Sequence, residues 1–105
     1  MNHPNCLPTA GMRQVCIAAE HAARRNDSWT TKSSSDIHGV RGKKHRRVKR
    51  FNVTFGGGTK RLYLTAGAVI MQESTDGLIP VELARYTERQ CSTISCALNE
   101  IARPY

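Results

Sequence analysis

Apolar residues in the first quarter of the chain recur at intervals of three and four: Met12, Val15, Cys16, Ala19, Ala22 and Ala23. That spacing lays one stripe along a helix and predicts a helical segment over residues 8–25. Thr9, after Pro8, is placed to cap its start, and Arg24 and Arg25 lie where a helix end favours cations. Further along the period changes to two. Phe51, Val53 and Phe55 alternate with Asn52 and Thr54, three glycines interrupt, and Leu62 and Leu64 then flank Tyr63. Alternation, a glycine turn and alternation again predict a β-hairpin over 48–64. Residues 26–47 carry no period. Ser, Thr, Asp and Gly dominate there, which predicts an irregular basic linker whose anchor, Trp29, packs back on the first helix.

From Thr65 onward the pattern reads as helical once more. "TAGAVIMQEST" is helix-compatible with Thr65 as its cap, and Asp76–Gly77 is a stop. Pro80 suits the first position of a short helix over "PVELARYT". "QCSTISCALNEIA" then spaces Ile94, Ala97, Leu98 and Ile101 at three and four before Pro104. The expected fold class is therefore α+β: an N-terminal helix, a β-hairpin, then a three-helix helix-turn-helix unit over 65–105, all in one small domain of 105 residues.

Charge adds the first functional signal. The chain has 16 Lys and Arg against 8 Asp and Glu, a net charge of +8. The excess is concentrated in "RGKKHRRVKR", where Arg41, Lys43, Lys44, Arg46, Arg47, Lys49 and Arg50 occur without an acid. Such a run repels itself and calls for an anionic partner. Lys60 and Arg61 answer it from the facing strand of the hairpin. A two-stranded ribbon with cations along one flank can lie against a nucleic-acid backbone. Double-stranded DNA is the expected partner and an acidic protein the alternative. RNA is less well matched, because no stacking aromatics flank the basic run.

The C-terminal wording points the same way. "DGLIPVELARYT" followed by "STISCALNEIA" resembles the helix-turn-helix of winged-helix transcription regulators of the MarR and IclR types. The match is carried by Gly77, Pro80, Glu82, Leu83, Ala84, Thr87, Ser92, Thr93, Ile94, Ser95, Ala97, Leu98 and Ile101. This resemblance covers residues 64–105 and implies a DNA-binding transcription regulator, a homodimer, with residues 90–102 as the helix that enters the major groove. On that geometry Gln90, Ser92, Ser95 and Asn99 would read bases, and Arg85 and Arg89 would meet phosphates. Two departures stand out. Glu88 and Arg89 occupy the turn where the family has Gly and an aliphatic residue, and a Glu there would need positive φ. The family's wing, which follows the recognition helix, has no counterpart before Tyr105. A different reading of the same features is a small adaptor or inhibitor of the kind mobile elements encode, docking on an acidic protein or a nucleoprotein complex.

Other classes find little in the sequence. No carboxylate pair stands out, and His3, His21, His38 and His45 have no evident nucleophile or acid beside them, so catalysis is not expected. "FGGGTK" matches neither the phosphate-loop nor the dinucleotide-loop spacing, and no cofactor is expected. Cys91 and Cys96 are five apart with no C-x-x-C in the chain, which argues against zinc. Cys91 at a helix start raises the option of a thiol switch with a lowered pKa. No run of about 18 apolar residues crosses a membrane, and no basic-then-apolar leader opens the chain. The expected location is the cytoplasm, with Cys6, Cys16, Cys91 and Cys96 as free thiols. At 39% hydrophobic residues the core is thin, the kind often completed by a second copy.

Overall fold

A computed structural model describes residues 9–35, 43–75 and 77–103, and side chains within these except those of 33–35 and 43–45. The element order is α1 (Ala10–Arg24), β1 (Thr30–Ser35), β2 (Lys43–Phe55), β3 (Gly58–Thr65), β4 (Ile70–Ser74), β5 (Gly77–Pro80), a 3-10 turn (Leu83–Arg85) and α2 (Glu88–Ala102). The five strands form one antiparallel sheet in sequence order, β1-β2-β3-β4-β5.

The first helix follows from its sequence stripe. The Thr9 hydroxyl accepts from the Met12 amide at 3.2 Å, which satisfies one of the amides a helix start leaves open. Val15, Ala18, Ala19 and Ala22 are its buried residues. The second helix starts on a reciprocal capping box: the Gln90 amide N–H donates to the Thr87 hydroxyl at 3.1 Å, and the Thr87 amide donates to the Gln90 side chain at 2.9 Å. Gly11 at the start of α1 donates to the Glu88 carboxylate at the start of α2. At the other end, Arg25 beyond α1 donates to the Arg103 carbonyl beyond α2 at 2.7 Å. Start meets start and end meets end, so the helices run parallel.

Cross-strand pairing assigns the two sheet faces. Phe51 opposes Leu62, Lys49 opposes Leu64 and Val53 opposes Lys60. The apolar members of these pairs pack with Ile70, with the alanine stripe and Val15 of α1, and with Cys91, Ile94 and Leu98 of α2. On the other face Val48, Tyr63, Met71 and Leu78 form a second, smaller cluster. The sheet curls enough to bring β1 against β5. Lys32 of β1 reaches Glu73 of β4 at 2.9 Å and lies 5.6 Å from the Tyr63 ring centroid. That lid explains why Tyr63 is 1% exposed on an outer face.

The α+β class holds, but the helix-turn-helix unit expected over 65–105 is not formed. The segment read as its first helix is a turn at 65–69 followed by strand β4. Ile70 and Met71, adjacent in sequence, point to opposite faces and are both buried, one in each cluster. Burial on both faces removes the alternation that marks a half-buried strand. Pro80 closes β5 instead of opening a helix, and "PVELARYT" yields only the three-residue 3-10 turn. The helix expected to enter the groove is formed, as α2, but the two helices expected before it are not, so no helix-turn-helix presents it. Glu88, expected in a strained turn, is the first residue of α2; the non-glycine residues at positive φ are Ser28 and Ala68, among those described. The linker expected over 26–47 contains β1 and the start of β2, which pair from Thr30↔Val48 to Ser35↔Lys43. No helix among the described residues is long and apolar enough to cross a membrane.

Candidate nucleic-acid interface

The basic run becomes β2, and a strand sends alternate side chains to opposite faces. It therefore splits the cations into two sets. Arg46 and Arg50 share the outer face with Asn52 and Thr54, while Arg47 and Lys49 share the helix-facing side with Phe51. The pairings Asn52↔Arg61 and Thr54↔Thr59 add Arg61 and Thr59 to the outer set. Arg46, Arg50, Asn52, Thr54, Thr59 and Arg61 are all exposed. No acid occurs in either strand. Arg61 lies close enough to the Glu73 carboxylate of β4 to act on it, and that carboxylate is held below the usual range chiefly by its hydrogen bond from Lys32. Arg46, Arg50 and Arg61 form no ion pair among the described residues.

Beyond Val48, β2 has no β1 residue beside it, and β3 pairs with β4 only through Tyr63 and Leu64. Among the described residues, 49–55 and 58–62 thus form a ribbon of two strands with no third strand paired to either. Its back is fixed by Phe51, Val53 and Leu62 in the main cluster. The tip glycines Gly56 and Gly57 are open to solvent, and the Thr54 and Thr59 hydroxyls meet at 3.3 Å just behind them.

Lys49 departs from its neighbours. It is 2% exposed, and its ammonium donates to the Ala22 carbonyl at 2.9 Å and the Arg25 carbonyl at 2.8 Å, with Asp27 at 4.0 Å. Burial lowers its pKa below 10.5, partly opposed by Asp27. It is occupied with the end of α1. Trp29, expected against the first helix, carries Lys49 at 4.7 Å and Arg47 at 5.1 Å from its ring centroid, a cation–π arrangement. Arg41 lies outside the described residues, and Lys43 and Lys44 are placed in β2 by backbone alone.

On the helix side of the ribbon, Lys60 donates to the Tyr86 hydroxyl at 3.1 Å, and Tyr86 packs on Phe55 with centroids 5.7 Å apart. A cavity of about 400 Å³ opens there, walled by Lys60, Gln72, Pro80, Arg85 and Tyr86. Arg85 is tied to Glu82 at 3.0 Å. Arg89 is exposed at the first turn of α2, beside the ribbon tip.

The four residues expected to read bases are spread around α2. Ser92 and Asn99 are exposed. Gln90 has its carbonyl oxygen committed to the cap. Ser95 is 4% exposed, and its hydroxyl has no hydrogen-bond partner among the described residues. It faces the core because α2 buries Cys91, Ile94, Ser95 and Leu98 as a single stripe. Cys91 is buried too, and burial with the nearby Glu88 carboxylate raises its pKa. Desolvation outweighs the helix start that suggested a lowered one. The outer ribbon residues Asn52, Thr54 and Thr59 carry no sequence signal of their own; pairing register is what joins them to Arg50 and Arg61. No group of His, Cys, Asp and Glu able to hold a metal occurs among the described residues. Comparison with protein-family models, curated proteins and solved structures finds no match to this chain.

Proposed function

We propose that this protein binds double-stranded DNA through the outer face of the β2–β3 ribbon. The observation that carries the reading is the register: it gathers Arg46, Arg50 and Arg61 on one exposed face of two strands that contain no acid, while Glu73 of the neighbouring β4 is paired with Lys32. Arginines presented this way meet phosphates and release the counterions condensed on them, a large part of the affinity for a duplex. Arg47, Lys60 and Arg89, exposed on the helix side of the ribbon, add to its positive field without sharing the outer face. A small intracellular regulator with reduced thiols is the biological form of this reading.

The test is a titration of a labelled duplex between roughly 50 and 200 mM salt, with wild type and with Arg46, Arg50 and Arg61 changed to Gln. The slope of log K against log salt should flatten by about 0.9 for each phosphate no longer neutralised. An unchanged slope removes this face from the interface. Absence of duplex binding at low salt, with an acidic protein held by the same arginines, transfers the face to that alternative partner.

A further inference from the structure

We infer that the ribbon lies in the major groove of B-form DNA and that Asn52 and Arg61 are its base-reading residues, an inference that rests on duplex binding by the outer face. The first support is shape. A major groove about 12 Å wide admits a two-stranded ribbon, whose strands lie about 4.8 Å apart. A third strand on either side would block entry. Here β1 pairs with β2 only as far as Val48 and β4 with β3 only through Leu64 and Tyr63, so among the described residues no third strand is paired with the stretch bearing Asn52 and Arg61.

Chemistry is the second support. Asn52 and Arg61 are direct cross-strand partners, both exposed, which sets their Cβ atoms about 5 Å apart on one face. Arg presents a planar fork to the O6 and N7 acceptors of guanine, and Asn bonds adenine at N6 and N7. Neither side chain is engaged in a hydrogen bond or ion pair among the described residues, so both are available. Thr54 and Thr59, behind them toward the tip, bond each other, and Arg50 and Arg46 continue the face toward the phosphates.

The third support decides the kind of nucleic acid. Every aromatic of the ribbon is withdrawn from its outer surface: Phe51 and Phe55 turn to the helices, and Tyr63 is buried. An unpaired strand would find no ring to stack on, whereas stacking is what holds single strands. The deep, narrow major groove of an RNA duplex does not admit side chains. B-form DNA remains.

The experiment selects duplexes from a random-sequence pool with the full chain, then measures competition between the selected site and scrambled DNA. Wild type should enrich guanine and adenine at neighbouring positions. Asn52→Ala and Arg61→Lys should each lose about 5- to 150-fold discrimination at one of them. The second variant keeps the charge but lacks the fork, so its salt slope should stay that of wild type. Both positions are exposed, and matching urea unfolding curves confirm that the variants fold. The inference is overturned if both variants discriminate as wild type does, or if Asn99→Ala loses the preference instead. Salt-dependent binding to all duplexes alike would overturn it while leaving duplex binding by the basic face intact. No binding to any duplex at low salt would remove both.

Discussion

Lys49 and Ala22 are 27 residues apart in sequence, and the ammonium of one donates to the backbone carbonyl of the other at 2.9 Å inside the protein. The most basic stretch of the chain is thus fastened to the end of α1 by one of its own cations. A single-residue step in β2 separates that buried lysine from Arg50, which faces solvent.

Adjacent cations should therefore respond in opposite ways. Lys49→Ala leaves two carbonyls without their charged donor and should cost about 2–3 kcal/mol in urea unfolding. Arg50→Ala should change stability by less than about 0.5 kcal/mol but reduce the salt dependence of DNA binding. Stability of the wild type should also rise as pH climbs from the lowered Lys49 pKa to 10.5, because the unfolded chain holds that proton longer. Lys49→Met should lack this rise. Loss of the salt slope in a folded Lys49 variant would contradict the assignment.

A second pair couples the helix starts. A Cβ at Gly11 would run into the Glu88 carboxylate and lie 3.0 Å from the Cβ of Cys91. Gly11→Ala gains about 1 kcal/mol of helix propensity but displaces the carboxylate that bridges α1 and α2. The double variant with Glu88→Ala should be more stable than the sum of the two single changes by at least about 0.5 kcal/mol. Simple additivity in thermal unfolding would mean the two helix starts are independent.

Two residues three apart on α2 should separate packing from unmet polarity. Leu98 is fully buried, and Leu98→Ala should cost about 2–5 kcal/mol. The Ser95 hydroxyl is buried without a partner among the described residues, so Ser95→Ala should be neutral or stabilising, by up to about 1 kcal/mol. Marked destabilisation by Ser95→Ala would show that this hydroxyl has a partner in solution.

Thiol labelling should follow exposure. Cys16 and Cys96 are exposed and Cys91 is buried, its pKa raised. An alkylating reagent at neutral pH should modify the first two in native protein and reach Cys91 only as urea unfolds it. Early modification of Cys91 would revive a switch at that site.

Much of this architecture is legible in the sequence where one face of an element is wet. Phe51, Val53 and Phe55 alternate cleanly because Asn52 and Thr54 oppose them in solvent. Thr9, expected as a cap, completes the start of α1 with its side chain, whereas Thr87, expected at the end of a short helix, caps α2 instead. β1 gives no such signal: Thr30 to Ser35 contains no large apolar residue, and its pairing with β2 comes from backbone bonds. β4 fails for the reverse reason, with core on both sides. The cations are visible in the sequence, but composition does not divide them. Strand alternation sends Lys49 inward and Arg50 outward, and the pairing of Asn52 with Arg61 places an uncharged amide beside the exposed arginines.

The parallel course of α1 and α2 has an electrical consequence. Antiparallel helices cancel much of each other's peptide dipole, whereas parallel ones add. Here both positive ends point the same way, and that of α2 lies beneath the ribbon tip, at the end of the molecule that carries Lys60, Arg85 and Arg89. In an encounter with a polyanion, such a field would favour an approach by the tip. Salt should slow that encounter even where the final complex is unchanged.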